Sequence, residues 1–326
     1  MNLSRRSTLA AVGALAFGAV APIARAQDYP AHSVSVVVPF AAGGATDLLA
    51  RVVTKAMEKY SGQPFVVENV GGAGSTLGTA KAAAATPDGY TILLGSSSAL
   101  VMAPHLYSSL KYDPFQSFEP IARIASAPYV LMVRADARFP TYADLVAFGA
   151  GNPGKLNYGS PGEGSALHLT IELMLDGAKC RATHIPYRGS APAWAALLGG
   201  DVDFIIDTPS AALPMIEGGK VRALAVTSAG RLPELPEVRT LDELGQKGFE
   251  SEAWFAMLAP KGTPAPVVAA LRKLADQVLR DPQARATLQG NHFTLANPDE
   301  MHLAADIRRE YDKWGAVIKA RGIRLN

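Results

Sequence analysis

The chain has 326 residues, 48% of them hydrophobic, with 31 Lys and Arg against 29 Asp and Glu, for a formal charge of +2. That length supplies one large core or two modest ones, and so balanced a charge excludes an electrostatic case for nucleic acid. A single cysteine, Cys180, excludes an intramolecular disulfide, so stability rests on packing.

Residues 1–26 read as an export signal. Arg5-Arg6 precede an apolar Ala/Gly-rich stretch, and Ala24-Arg25-Ala26 fits an A-x-A cleavage site. The segment Ser4-Arg5-Arg6-Ser7-Thr8-Leu9 resembles a twin-arginine signal, with Thr8 in place of the usual aromatic residue, which leaves Sec export open. Cleavage near Ala26 removes Arg5, Arg6 and Arg25 and no acid, so the formal charge falls from +2 to −1. No Cys follows the site to carry a lipid, and no later run approaches the ~18 apolar residues of a membrane span. A periplasmic protein without a lipid anchor is expected.

Residues 34–38 are apolar and β-branched enough for a buried strand, and residues 48–60 carry apolar residues at helical spacing. Between them, Pro39-Phe40-Ala41-Ala42-Gly43-Gly44-Ala45-Thr46-Asp47 is either an anion cradle of backbone N–H groups or a plain strand-to-helix turn. Thr46 or Asp47 is placed to cap the helix, and Asp47 to pair with Arg51 one turn on. Further strands are read at residues 65–68, 91–94 and 121–133, then at 156–158, 182–186, 203–207 and 221–227. A strand at 249–259 and helices at 264–280 and 298–320 follow. Alternating strands and helices in two series predict two α/β lobes: either the C-terminal end completes the first, with two chain crossings as a hinge, or the two follow one another continuously along the chain.

Glycine turns recur at equivalent places: Gly159-Ser160-Pro161-Gly162-Glu163-Gly164-Ser165, Tyr187-Arg188-Gly189-Ser190 and Gly95-Ser96-Ser97-Ser98. In open α/β sheets ligands bind outside the carboxyl ends of strands, so two lobes offering such turns suggest a ligand between them. Competing chemistries lack their residues. Gly72-Ala73-Gly74-Ser75-Thr76-Leu77 fails the dinucleotide spacing at Leu77, no G-x-S-x-G elbow occurs, and His105, His168 and His184 lack zinc spacing. Asp207-Thr208 ends an apolar strand at the expected cleft edge. Arg188 is the exception among loops otherwise nearly free of Arg and Lys, so recognition would rest on N–H groups, hydroxyls and helix dipoles.

Over residues 29–311 the chain resembles the periplasmic solute-binding proteins of tripartite tricarboxylate transporters, the Bug proteins. The resemblance is carried by the 37–47 run, Pro87-Asp88-Gly89-Tyr90-Thr91, Tyr112-Asp113-Pro114-Phe115 and Gly154-Lys155-Leu156-Asn157-Tyr158-Gly159-Ser160. It continues through Pro186-Tyr187-Arg188-Gly189-Ser190-Ala191-Pro192, Leu197-Leu198-Gly199-Gly200, Asp203, Arg222-Ala223-Leu224-Ala225 and Ala259-Pro260-Lys261-Gly262-Thr263-Pro264.

The resemblance implies an α/β periplasmic-binding-protein fold of the type II, Venus-flytrap kind, each lobe a mainly parallel sheet flanked by helices. Residues 27–126 plus 229–326 are expected to form lobe 1 and residues 127–228 lobe 2. It implies capture of a small organic carboxylate and delivery to membrane permease subunits, by a monomer without catalysis, cofactor or nucleic acid. An exported sensor or hydrolase using the same cleft is the alternative. The implied clamp is Phe40, Ala42, Gly43, Gly44, Thr46 and Asp47 on one lobe and Ser160, Gly162, Glu163 and Ser165 on the other. Ser96, Ser97, Asp207 and Thr208 are implied wall positions. The chain departs from the family pattern at Asn69-Val70-Gly71-Gly72, where Asn-Arg-Pro-Gly is common, at Ala103, and at Glu163. If Glu163 points into the cleft, it opposes a second carboxylate on the solute; if it points to solvent, it carries no such information.

Overall fold

The β-branched run forms strand β1 (Val34–Val38), largely buried on both faces as a strand with covered faces requires. The computed structural model describes residues 29–299, 302–322 and 324, and the export-signal reading of residues 1–26 lies outside the described residues. After β1 come α1 (Ala45–Ser61), β2 (Phe65–Asn69), α2 (Thr76–Ala83), β3 (Thr91–Ser96), α3 (Ala103–Leu106) and β4 (Phe118–Pro128). The middle of the chain forms β5 (Val130–Arg134), α4 (Tyr142–Gly151), β6 (Asn157–Ser160), α5 (Ala166–Gly177), β7 (Thr183–Pro186) and α6 (Ser190–Gly199). It continues with β8 (Phe204–Asp207), α7 (Pro209–Glu217) and β9 (Val221–Val226). Last come β10 (Glu252–Pro260), α8 (Ala265–Arg280), α9 (Pro282–Gly290), β11 (Thr294–Leu295) and α10 (Leu303–Arg321). No helix among the described residues is long and apolar enough to cross a membrane.

Two sheets result, ordered β11-β4-β10-β3-β1-β2 and β7-β6-β8-β5-β9. β1 pairs in parallel with β2 and β3, and β6 with β7 and β8, as βαβ connections dictate. The other pairings are antiparallel, so each sheet is mixed where a mainly parallel one was expected. The reason is the route of the chain. It leaves the first sheet along β4 into β5 and returns along β9 into β10, and these crossing segments lie side by side in opposite directions.

The run at 121–133, read as one strand, divides at Tyr129 between the two sheets. Pro128 has no N–H for a ladder, and Tyr129 turns to the other crossing instead. Its N–H donates to Thr227 Oγ1 at 2.8 Å, while the Thr227 N–H donates to the Tyr129 carbonyl at 3.0 Å. Thr227 Oγ1 in turn donates to the Ser251 carbonyl at 2.6 Å.

The apolar faces of the helices pack on these sheets. Leu49, Val53 and Met57 of α1 and Leu271, Leu274 and Val278 of α8 join Val36, Ile92 and Leu258 in the main core. A second cluster joins Val130, Met132 and Ile205 to Trp194, Leu197 and Leu213 of α6 and α7. Each aliphatic side chain so buried contributes about 1.5–3 kcal/mol of transfer free energy. Helix α9 and strand β11 stand in what was read as connection, and α10 begins at Leu303, later than the expected 298. The α9 start was nonetheless written locally: Asp281 Oδ1 accepts the Ala284 N–H at 2.8 Å and Pro282 takes the first helical position.

Candidate ligand-binding cleft

The carboxyl ends of β1, β3, β6 and β8 open onto one cleft between the sheets, which encloses about 910 Å³ including its mouth. Phe40, Ala42, Gly43, Gly44 and Thr46 line it from the first loop, Ser96 and Ser97 from the end of β3. Ser165 lines it from the start of α5, and Asp207 and Thr208 from the end of β8. Asp47, Ser160, Gly162 and Glu163 lie outside the lining.

The first loop is shaped by its own helix. Gly44, not Thr46 or Asp47, is the N-cap of α1, and Gly43 takes a left-handed φ of 87° that favours glycine. Asp47 sits in the first turn with its carboxylate buried. Oδ2 accepts the Gly43 N–H at 3.0 Å and Arg51 Nε at 3.0 Å, which is the expected pairing with Arg51. Burial acts to raise the Asp47 pKa, but the Arg51 and Gly43 donors outweigh it and hold the carboxyl below its ordinary value. One cradle N–H is thus spent on Asp47, and the first-turn N–H groups of α1 that follow lack helical partners, in a stretch where Gly44, Ala45 and Thr46 line the cleft.

The second loop is built around Gly162 (φ 148°) and Gly164 (φ 74°). These conformations turn the Glu163 carbonyl toward the first lobe, where Tyr107 OH lies 3.4 Å away, and leave the Glu163 side chain exposed. Glu163 is therefore not placed to oppose a ligand in the cleft. Ser165 caps α5, its Oγ accepting the His168 N–H at 3.2 Å and donating to the Gly162 carbonyl at 2.7 Å. Ser160 stands behind the loop, its Oγ bonded to the Gly162 carbonyl at 3.0 Å and to His184 Nε2 at 2.6 Å.

Two histidines prop this loop from behind. His168 Nδ1 accepts the Gly164 N–H at 3.0 Å, and the His168 and His184 rings stack at 3.9 Å. Burial pushes His168 down to about 3 and His184 down to about 4, with mutual repulsion adding to the His168 shift. Both imidazoles are neutral posts at ordinary pH.

A third loop joins the wall through Arg188 and Gly189. The Gly189 N–H donates to the Pro161 carbonyl at 3.0 Å, tying this loop to the second, and Arg188 stands exposed at the mouth. Asp207 is buried at the end of β8. Its Oδ2 accepts Trp194 Nε1 at 2.8 Å and its Oδ1 the Thr208 N–H at 2.7 Å, and the Ser190 side chain also bonds to it. Burial pushes the Asp207 pKa up, against the pull of these neutral donors.

Tyr129, Ala253 and Phe255 complete the wall from the two crossings. Nothing local in the sequence marks them as wall residues: their place follows from where the crossings meet the sheets. The glycine turn that begins at Tyr187 adds Arg188 to Pro192 to the wall, beyond the wall positions the resemblance implies. Three hydroxyls in the lining, Ser96 Oγ, Ser97 Oγ and Tyr129 OH, are buried without a hydrogen-bond partner among the described residues. Such groups cost about 1–3 kcal/mol each and call for a partner. Ser98 Oγ instead accepts the Ala166 N–H of α5 at 2.9 Å, a buried bond across the cleft.

Residues 49–323 match the tripartite tricarboxylate transporter family receptor. The protein BugT of Bordetella pertussis is 34% identical over 331 residues, covering 100% of this chain and 100% of that protein. The solved periplasmic binding protein BugD is 38% identical with a TM-score of 0.86, covering 91% of this chain and 100% of its own. Rpa4515 of R. palustris, solved with adipate, is 33% identical with a TM-score of 0.85, covering 91% of this chain and 99% of its own.

Proposed function

The chain belongs to the tripartite tricarboxylate transporter family of receptors, and from that premise we propose that it captures a small organic carboxylate between its lobes and delivers it to a membrane permease of that transporter type. One observation carries the reading: the N-termini of α1 and α5, from opposite sheets, line the same cleft. The uncapped first-turn N–H groups of α1 and the dipoles of both helices favour an anion there without a buried cation. The adipate in Rpa4515 supports a carboxylate as the solute.

In this reading residues 27–126 and 229–326 are one lobe and residues 127–228 the other, and the receptor works as a monomer outside the cytoplasm. Phe40 to Thr46 and Ser165 hold the carboxylate, Asp47 and Ser160 shape the loops that do so, and Ser96, Ser97 and Thr208 meet the rest of the solute. Ligand touching both lobes stabilises the closed form.

A thermal-shift screen of organic acids, amino acids and aromatic carboxylates tests the proposal. A solute at a hundredfold its Kd stabilises the folded state by about 2.7 kcal/mol, a shift of several degrees. If no carboxylate raises the midpoint, the receptor reading fails. Delivery is tested by uptake of the same solute in cells carrying the permease, with and without this protein.

A further inference from the structure

Among the cleft-lining residues, Asp207 is the one acid and Arg188 the one base. Their settings differ. Asp207 is 5% exposed and Arg188 stands in solvent at the mouth. The contacts of Asp207 are neutral donors: the Trp194 indole, the Thr208 N–H and the Ser190 side chain. Burial already works against the charge of Asp207, and none of its donors is a cation, so a second carboxylate beside it would raise the cost of holding both as anions.

The hydroxyls without partners line the same cleft. Val130 pairs with Asp207 in the β5–β8 ladder, which sets Tyr129 next to the acid, and Ser96 and Ser97 reach the same cleft from β3. Hydroxyls donate and accept but bring no countercharge.

We infer that the cleft selects a solute with a single carboxylate, whose second polar group is uncharged or cationic and meets Ser96, Ser97 and Tyr129 beside Asp207. This deepens the receptor reading and rests on it. A second carboxylate at the inner end would lose its hydration next to Asp207 with no cation to repay it. Arg188 does not rescue it, because an exposed guanidinium at the mouth is screened by solvent and salt. A site that offers no cation to a second anion discriminates between solutes of equal length. The acid that sets charge preference is then Asp207, reached through the tertiary fold, and not Glu163.

The test is calorimetric titration of the whole mature protein at neutral pH. Adipate and succinate are each compared with the analogues in which one carboxylate becomes a hydroxymethyl or an aminomethyl group. The same comparison is made for the carboxylate that raises the melting midpoint most in the screen. The singly charged or zwitterionic member is expected to bind about tenfold or more tightly than the dicarboxylate, and Asp207→Asn is expected to bring the ratio toward unity. A tighter hydroxyl-ended member assigns the preference to the three hydroxyls, a tighter amino-ended member to Asp207 itself. A dicarboxylate that binds as tightly, or a ratio unchanged in an Asp207→Asn protein that melts like the parent, overturns the inference. If Asp207→Asn does not fold, the ratio in the unaltered protein decides alone. Binding of no carboxylate at all overturns the receptor reading, whereas a dicarboxylate preference overturns only this inference.

Discussion

Asp47 accepts the backbone N–H of Gly43, four residues earlier, at 3.0 Å while Arg51 grips the same oxygen from the following turn. The helix thereby folds its own approach loop into a cradle, so the shape of the anion site and the start of α1 are one structure. Removing the carboxylate in Asp47→Ala frees the loop and removes a negative charge from a helix N-terminus. The expected cost is about 1–2 kcal/mol in urea denaturation, with ligand affinity lowered about tenfold in calorimetry. Unchanged affinity would show that the Gly43 conformation does not depend on Asp47.

The hydroxyls of Ser96 and Ser97 give the opposite pairing of effects. Since neither has a partner among the described residues, Ser96→Ala and Ser97→Ala should leave stability unchanged or raise it by up to about 1 kcal/mol. Ligand affinity should fall at the same time. A loss of both stability and binding would mean that these hydroxyls serve the fold.

Thr227 is where the two crossings are laced together. Its hydroxyl accepts from the Tyr129 N–H and donates to the Ser251 carbonyl, so Thr227→Val keeps the shape and strands two buried groups. A loss of about 2–3 kcal/mol is expected. Because the bonds join segments that link the lobes, small-angle scattering of the variant without ligand should report a changed balance of open and closed forms.

Gly78 of α2 lies where the helix crosses the end of β1. A Cβ there would sit 2.5 Å from the Val70 carbonyl oxygen and 2.7 Å from Pro39 Cα. Both are backbone atoms that no rotamer change can move. Gly78→Ala should therefore destabilise by about 1–3 kcal/mol despite the better helix propensity of alanine. A variant as stable as the parent would place slack between α2 and the first loop.

The stacked histidines predict a pH dependence. Their folded values, about 3 and about 4, lie below the ordinary value of 6.5, so below pH 6.5 the unfolded chain binds more protons than the folded one. Their contribution is complete above pH 6.5 and is lost as the pH falls toward 4 and then 3, at about 1.4 kcal/mol per pH unit for each ring. Comparing urea midpoints between pH 7 and 4 for the parent and the His168→Gln, His184→Gln double variant isolates this slope from that of the acids. Equal slopes would contradict the neutral buried pair.

What the sequence determined by itself was the local vocabulary. The β-branched run ending in Pro39 and the paired glycines after it specify a strand, a turn and a helix start wherever they occur, because φ freedom and side-chain periodicity are properties of neighbouring residues. The same holds for the turns at 159–165 and 187–192 and for the strand ending in Asp207. What only the tertiary structure decided was which of these face one another. Glu163 and Ser165 are two residues apart, yet the glycines between and before them turn one to solvent and the other to the cleft. Tyr129 and Phe255 are far apart in sequence and unremarkable in their runs, and they share a wall because both crossings pass under the same strand ends. The physical reason is that charge and burial are sums over everything within a few ångströms. Asp207 became the cleft's buried acid through Trp194, Thr208 and Tyr129, and no reading of its own segment contains that neighbourhood.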